Sequence, residues 1–332
     1  MIVKENIISA HKRIKGIINR TPLVTSERLN KMLGHDIVFK AEGMQVTGAF
    51  KVRGVLNSIF SLEEQGNLPQ KITAYSSGNH AKALAWVGAE IAKIPTEIYM
   101  HKSASLSKRE AIKALGADLI ITETRIEAEQ KAKALGLEKG NYFLHPSDND
   151  FVLEGAATLT YEALEELEKS PDAIFAACGG GALLSGVYLG AEAAGKDCKI
   201  YGVEPVIAND AARSYKLGEI VGFDESPQTM ADGLRTLKVS ERTFNYLKRL
   251  NGFVEVSEEE IFYWSVWLHE LLSVPCEPTA ATAMAGAFNW LKKQNTRQKI
   301  LVVLSGGNID SEVTDLLKSS KYLNNYPILK VT

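Results

Sequence analysis

Three times along this chain a short strand-like run ends abruptly in a turn of glycine and small polar residues. Ile72-Thr73-Ala74-Tyr75 runs into Ser76-Ser77-Gly78-Asn79-His80, Ala173-Ile174-Phe175-Ala176-Ala177 into Cys178-Gly179-Gly180-Gly181-Ala182, and Ile300-Leu301-Val302-Val303-Leu304 into Ser305-Gly306-Gly307-Asn308. Helical patterns follow the first two, from Ala81 to about Ala92 and from Leu183 to Ala194. Strands alternating with helices predict an α/β fold, a mostly parallel sheet with helices on both faces. Turns of this kind at the carboxyl ends of parallel strands are where open α/β sheets bind ligands.

A fourth segment, Thr47-Gly48-Ala49-Phe50-Lys51-Val52-Arg53-Gly54, puts a lysine at the start of a helix with Thr47 as its expected N-cap. The positive end of the helix dipole disfavours a protonated amine, and burial acts in the same direction. A partly neutral lysine is a nucleophile for carbonyl carbon and forms Schiff bases. The bland alternative is a solvated helix lysine.

Consecutive glycines at 179–181 let backbone N–H groups converge just before a helix N-terminus, an arrangement suited to a phosphate. The dinucleotide fingerprint fails because Leu184 stands where its last glycine belongs, and no Gly-Lys-Ser/Thr ending marks a P-loop. A nicotinamide cofactor and ATP hydrolysis both lose support. A phosphate site beside a helix-start lysine suggests pyridoxal phosphate.

With these motifs in order, the chain resembles the fold-type II (tryptophan synthase β-like) pyridoxal-phosphate enzymes, in the branch of serine/threonine dehydratases and serine racemases. The likeness runs from Arg20-Thr21-Pro22-Leu23 to Ser305-Gly306-Gly307-Asn308. Between them lie Lys40-Ala41-Glu42, Leu115-Gly116-Ala117, Gly202-Val203-Glu204-Pro205, Ala231-Asp232-Gly233 and Glu277-Pro278-Thr279-Ala280. The resemblance implies two open, twisted, mostly parallel sheets with the cofactor between a large and a small domain. The large domain is expected over 1–68 and 147–332 and the small mobile one over 69–146, with strands 72–75, 96–100 and 118–121 and helices 80–93, 105–115 and 126–136. It implies a homodimer as well. The chain reaches Thr332 soon after Asn308, which leaves no room for the regulatory domain of biosynthetic threonine dehydratases.

The resemblance also assigns roles. Lys51 carries the cofactor as a Schiff base and then acts as acid/base; Phe50 packs on the pyridine ring, and Asn79 bonds its 3′-oxygen. Gly179, Gly180, Gly181 and Ala182 cup the phosphate, and Ser305 meets the ring nitrogen with a neutral hydroxyl. The substrate carboxylate falls to Ser76, Ser77, Gly78, Asn79 and His80, with Arg125 as a further contact. Ser77, an alanine in many threonine dehydratases of this branch, would serve as the opposite-face acid/base of a racemase. Glu204, the carbonyl of Ala208 and Asp210 offer hard oxygen donors to magnesium, calcium or manganese.

Ala49, Ala182 and the run Glu154-Gly155-Ala156-Ala157-Thr158 depart from the common pattern, and they are expected near the pocket. The reaction implied is α,β-elimination from serine, threonine or a related β-hydroxy amino acid, giving a 2-oxo acid and ammonia, with serine racemisation beside it. β-Substitution of the cysteine synthase kind and a non-catalytic amino-acid-binding relative stay open. A net charge near −2 with no basic block points to neither nucleic acid nor an anionic membrane. No signal peptide or membrane span is visible, and three scattered cysteines suit a reducing cytoplasm.

Overall fold

The computed structural model describes residues 1–329, so the last three positions of the expected large domain lie outside the described residues. Among the described residues ten strands form: Leu23–Val24 (β1), Asp36–Ala41 (β2), Lys71–Tyr75 (β3), Thr96–His101 (β4), Asp118–Thr122 (β5), Asn141–Phe143 (β6), Ala173–Ala177 (β7), Lys199–Pro205 (β8), Gly252–Val256 (β9) and Lys299–Leu304 (β10). Six assemble in the order β1-β2-β10-β7-β8-β9 and four in the order β5-β4-β3-β6. Every pairing is parallel except that of β1 with β2. The α/β reading with two mostly parallel sheets holds.

β7 and β10 are apolar without alternation because both their faces are covered. Helices Glu258–Leu271 and Pro278–Leu291 bring Trp264, Trp267 and Met284 to one face. Helices Asp150–Glu166 and Ala182–Ala194 bring Leu159, Leu184 and Val187 to the other. All four strands of the smaller sheet fall between residues 71 and 143. One apolar cluster links its Ile72, Ile98 and Met100 to Val52, Val55 and Leu153 of neighbouring helices, so the smaller sheet shares a core with helices Lys51–Glu64 and Asp150–Glu166. No helix among the described residues is long and apolar enough to cross a membrane.

Several local expectations need correcting. Helix Lys51–Glu64 begins without Thr47: its N-cap is Phe50, with no side-chain cap, and Thr47 Oγ1 is buried without a partner among the described residues. Gly48, at φ +77°, turns the chain in between, its N–H bonded to the Gln45 carbonyl at 2.7 Å. The helix expected over 80–93 is α-helical over Asn79–Trp86 and then widens into a π turn over Val87–Ala92. β6 was not expected; three half-buried residues are too few to show a period.

A buried ion cluster fixes the start of helix Lys51–Glu64. Arg53, Lys40 and Glu42 are fully buried and Glu162 nearly so. Arg53 donates from Nε and Nη2 to Glu42 at 2.8 and 2.9 Å, and from Nη1 and Nη2 to Glu162, both at 2.9 Å. Lys40 Nζ donates to Glu162 at 3.0 Å and to the Thr21 carbonyl at 2.8 Å. Two cations face two carboxylates, and the guanidinium fork matches the carboxylate geometry. Buried charges persist only when paired in this way. The variant Glu162→Gln keeps the shape and leaves two cations facing one carboxylate. Its urea unfolding is expected to show a stability loss of about 3–5 kcal/mol.

Candidate active site

In the larger sheet the carboxyl ends of β2, β10 and β7 lie side by side, and in the smaller sheet so do those of β3 and β6. The segments that leave these five strands line one cavity of about 690 Å³. It gathers Phe50, Lys51, Ser76, Ser77, Gly78, Asn79, His80, Arg125, Gly179, Gly180, Gly181, Ala182 and Ser305, residues up to 255 positions apart in the chain.

The loop before Lys51 is zipped to the end of β10. Phe50 N–H bonds the Ser305 carbonyl at 3.0 Å, Gly307 N–H bonds the Gly48 carbonyl at 2.9 Å, and Ala49 pairs with Gly306. Lys51 Nζ donates to the Pro146 carbonyl at 2.8 Å and lies 5.1 Å from the centre of the Phe50 ring. No carboxylate pairs with it among the described residues, and burial pushes the amine down to about 8. A sizeable neutral fraction near neutrality makes it a competent nucleophile.

The glycine turn is a cradle that side chains would fill. Gly181 sits at φ +85°, and a Cβ on Gly180 would lie 2.7 Å from Ser147 Oγ. Helix Ala182–Ala194 starts immediately after it, aiming its N-terminus at the cavity. Thr236, at the rim of this turn, has a buried hydroxyl with no partner among the described residues. Ser305 Oγ is likewise buried and unpartnered. Such groups call for a ligand. A primary amine, a glycine cradle at a helix start and two orphaned hydroxyls fit the aldehyde, phosphate and ring nitrogen of pyridoxal phosphate.

Around them runs a chain of hydrogen bonds that the sequence did not reveal. Asn79 Nδ2 donates to Glu277 at 2.8 Å, Asn308 Nδ2 donates to Asn79 Oδ1 at 2.7 Å, and Lys82 Nζ donates to Asn308 Oδ1 at 2.7 Å. Burial, reinforced by Asp232, pushes the Glu277 carboxyl up to about 8. Lys108 reaches across from the smaller sheet's layer to Asp232 at 2.5 Å and Asp310 at 3.3 Å. The sequence marks Glu277-Pro278-Thr279-Ala280 as a landmark of the resemblance but gives Glu277 no role, since its partner Asn79 is 198 residues away.

On the substrate loop, Ser76 Oγ accepts the Gly78 N–H at 3.2 Å, while Ser77 lines the cavity. His80 is buried, its Nε2 against the Leu144 carbonyl at 3.0 Å, and burial pushes its pKa down to about 3. The imidazole is therefore neutral and ties loop to loop. Arg125 is not a solvated helix-start residue: Nη1 donates to Ser226 Oγ at 3.0 Å, and no carboxylate pairs with it among the described residues.

Glu204, Ala208 and Asp210 stand apart from this cavity, at the end of β8 and the start of helix Asp210–Leu217, and all three are buried. Glu204 accepts the Ala212 N–H at 2.7 Å, whereas both Asp210 oxygens lack a well-formed hydrogen bond among the described residues. Burial and mutual repulsion raise the Glu204 carboxyl, and burial brings Asp210 up to about 7. Two facing carboxylates without a paired lysine or arginine suit a hard divalent cation. The expectation for Glu154-Gly155-Ala156-Ala157-Thr158 is corrected. The run lies inside helix Asp150–Glu166 against helices Lys51–Glu64 and Ala182–Ala194, away from the cavity; Ala182 does line it.

Residues 14–306 match the family described as pyridoxal-phosphate dependent enzyme. The chain is 38% identical to the L-threo-3-hydroxyaspartate ammonia-lyase of Saccharomyces cerevisiae, over 95% of this chain and 96% of that one. It is 36% identical to the serine racemase of Schizosaccharomyces pombe, over 93% and 94%. The structure of maize serine racemase superposes with a TM-score of 0.88 at 31% identity, covering 97% of this chain and 98% of that one. The chain belongs to the pyridoxal-phosphate-dependent enzymes of fold type II.

A direct check on the buried amine is its reactivity in the cofactor-free protein. Acetylation of Lys51, followed by peptide mass spectrometry, is expected to rise with pH about a midpoint near 8, well below the ordinary lysine value of 10.5.

Proposed function

We propose that this chain is an ammonia-lyase acting on β-hydroxy amino acids, with serine racemase activity beside the elimination. The overall change eliminates water, then takes water up again as the resulting imine is hydrolysed, so that only ammonia is lost and a 2-oxo acid remains: pyruvate from L-serine, 2-oxobutanoate from L-threonine, oxaloacetate from threo-3-hydroxyaspartate. The observation that carries this reading is the half-buried Lys51 amine, without a carboxylate partner among the described residues, sharing one cavity with the orphaned Ser305 hydroxyl and the Gly179-Gly180-Gly181 turn. The relatives' names support it.

Bound there, pyridoxal phosphate supplies an electron sink that acidifies the α-hydrogen of an amino acid. Gly179, Gly180, Gly181 and Ala182 would hold its phosphate, Phe50 would pack on its ring, and Asn79 would bond its 3′-oxygen. Asn79 has one amide hydrogen left for this, the other being given to Glu277. Ser305 would offer the ring nitrogen a neutral hydroxyl in place of a carboxylate, a partner suited to elimination more than to transamination. Lys51 Nζ takes the α-proton from one face, and Ser77 Oγ serves the other.

The turn from Ser76 to His80 receives the substrate carboxylate through its N–H groups. Arg125, half-buried and with only a neutral hydroxyl as its side-chain partner among the described residues, is free for a second carboxylate. Threo-3-hydroxyaspartate would engage both. Glu204, Asp210 and the Ala208 carbonyl hold magnesium, with calcium or manganese as substitutes. The 69–146 unit acts as the mobile lid of a homodimer, and three free cysteines suit the cytoplasm.

A single time course with purified protein, pyridoxal phosphate and magnesium tests the reading, with L-serine and L-threo-3-hydroxyaspartate in parallel. Ammonia and 2-oxo acid are expected from both and D-serine from the first. Lys51→Ala should abolish all products, and Ser77→Ala should remove D-serine while sparing pyruvate. No product from any β-hydroxy amino acid would sink the proposal. Chelation should lower the melting temperature, with magnesium restoring it. A metal-free protein that melts unchanged and regains nothing would remove the metal site.

A further inference from the structure

Five residues before the start of helix Asp150–Glu166, the ring of His145 is engaged on both nitrogens. Its Nδ1 accepts two backbone N–H groups of its own turn, from Ser147 at 3.1 Å and Asp148 at 2.7 Å. An acceptor of two N–H bonds carries no hydrogen, so the proton of the neutral ring sits on Nε2. Nε2 faces the Tyr75 hydroxyl at 3.4 Å, at the end of β3. The ring also packs edge-on against Tyr75 and Phe143, with centroids 5.9 Å away in each case. Asp148, Glu129, Lys133 and Lys51 are the charged groups around it, and burial outweighs them, pushing the imidazolium down to about 4.

The turn that His145 organises does two things at the cavity. Its Pro146 carbonyl is the acceptor for Lys51 Nζ, and its Ser147 abuts Gly180 of the glycine cradle. Tyr75 directly precedes Ser76 and Ser77, so the same imidazole joins the substrate loop to the turn that holds the lysine. The neighbouring His80–Leu144 bond reinforces this seam.

We propose that His145, fixed as the Nε2–H tautomer, is a positioning residue that aims the Pro146 carbonyl at Lys51 Nζ and thereby sets the amine for cofactor capture. It rests on the reading of Lys51 as the lysine that takes the cofactor. Two substitutions separate this role from simple packing. His145→Asn loses the ring, but its side-chain oxygen can accept the same two N–H groups as an Asx turn. His145→Phe keeps the aromatic packing and loses the acceptor.

The experiment measures capture of pyridoxal phosphate by the cofactor-free protein, from the absorbance at a range of cofactor concentrations, together with Lys51 acetylation. His145→Phe is expected to slow capture by about tenfold or more, in keeping with the cost of misplacing a reacting group. His145→Asn should stay within about threefold of the unaltered protein. The reverse order, or equal rates, overturns the proposal. Nitrogen-15 spectra of the six imidazoles, with His145 assigned by its loss in the Asn variant, read the tautomer directly and need no Phe variant to fold. A proton on Nδ1 at neutral pH would also overturn it. Capture needs no substrate, so a chain that captures cofactor and releases no ammonia defeats the proposed activity while leaving this inference standing.

Discussion

Arg53 ties the molecule together. Its guanidinium joins the turn after β2, through Glu42, to helix Asp150–Glu166, through Glu162, two residues after the lysine that faces the cavity. Glu162 in turn takes Lys40 from β2 itself, and Glu42 takes the Thr21 hydroxyl at 2.5 Å. Helix Lys51–Glu64 has no side-chain cap, so its first turn depends on this cluster and on the hydrogen bonds to the end of β10. A hydrophobic contact could supply burial there. It could not fix the rotation of the helix about its axis as a forked set of charge-assisted bonds does.

From that anchored turn the rest of the cavity follows by topology. The carboxyl ends of β2, β10 and β7 are neighbours, so the lysine segment, the Ser305 turn and the glycine cradle arrive side by side. The smaller sheet sends the ends of β3 and β6 to the opposite wall, bringing the serine loop and the turn that holds Lys51 Nζ. The cavity thus belongs to no single sheet. Its two walls are joined by pairs such as Lys108 with Asp232 and Asp310.

What the sequence discloses and what it hides divides along a physical line. Backbone features announce themselves locally: Gly179-Gly180-Gly181 must make a sharp open turn, and apolar β7 and β10 must be covered on both faces. The fold class and the segments of the cavity were legible for that reason. Side-chain partnerships between distant segments leave no local mark. Nothing around Glu277 shows that its carboxyl is buried against Asn79, and nothing around His145 shows its bond to Tyr75. The placement of Glu154 failed for the same reason: a departure from a familiar pattern says that a residue differs, whereas its position on a helix decides what it touches.

Burial acts on every ionisable group of these inner regions, with opposite outcomes set by whether a counter-charge is present. Arg53 stays charged because two carboxylates share it, and their attraction outweighs the desolvation. Lys51, His80 and His145 have no such partner and shift toward their neutral forms, while Glu277 shifts toward the protonated one. The region around the lysine therefore offers polar groups with little fixed charge, and Ser305 continues that pattern where an acidic residue could have stood. A neutral surrounding of this sort lets an amine near its own pKa both accept and return a proton at little cost. The charged cluster two residues away holds the scaffold still. Both anchor and reacting group are withdrawn from water, Arg53 fully and Lys51 in part, and the presence of a counter-charge decides which of them titrates.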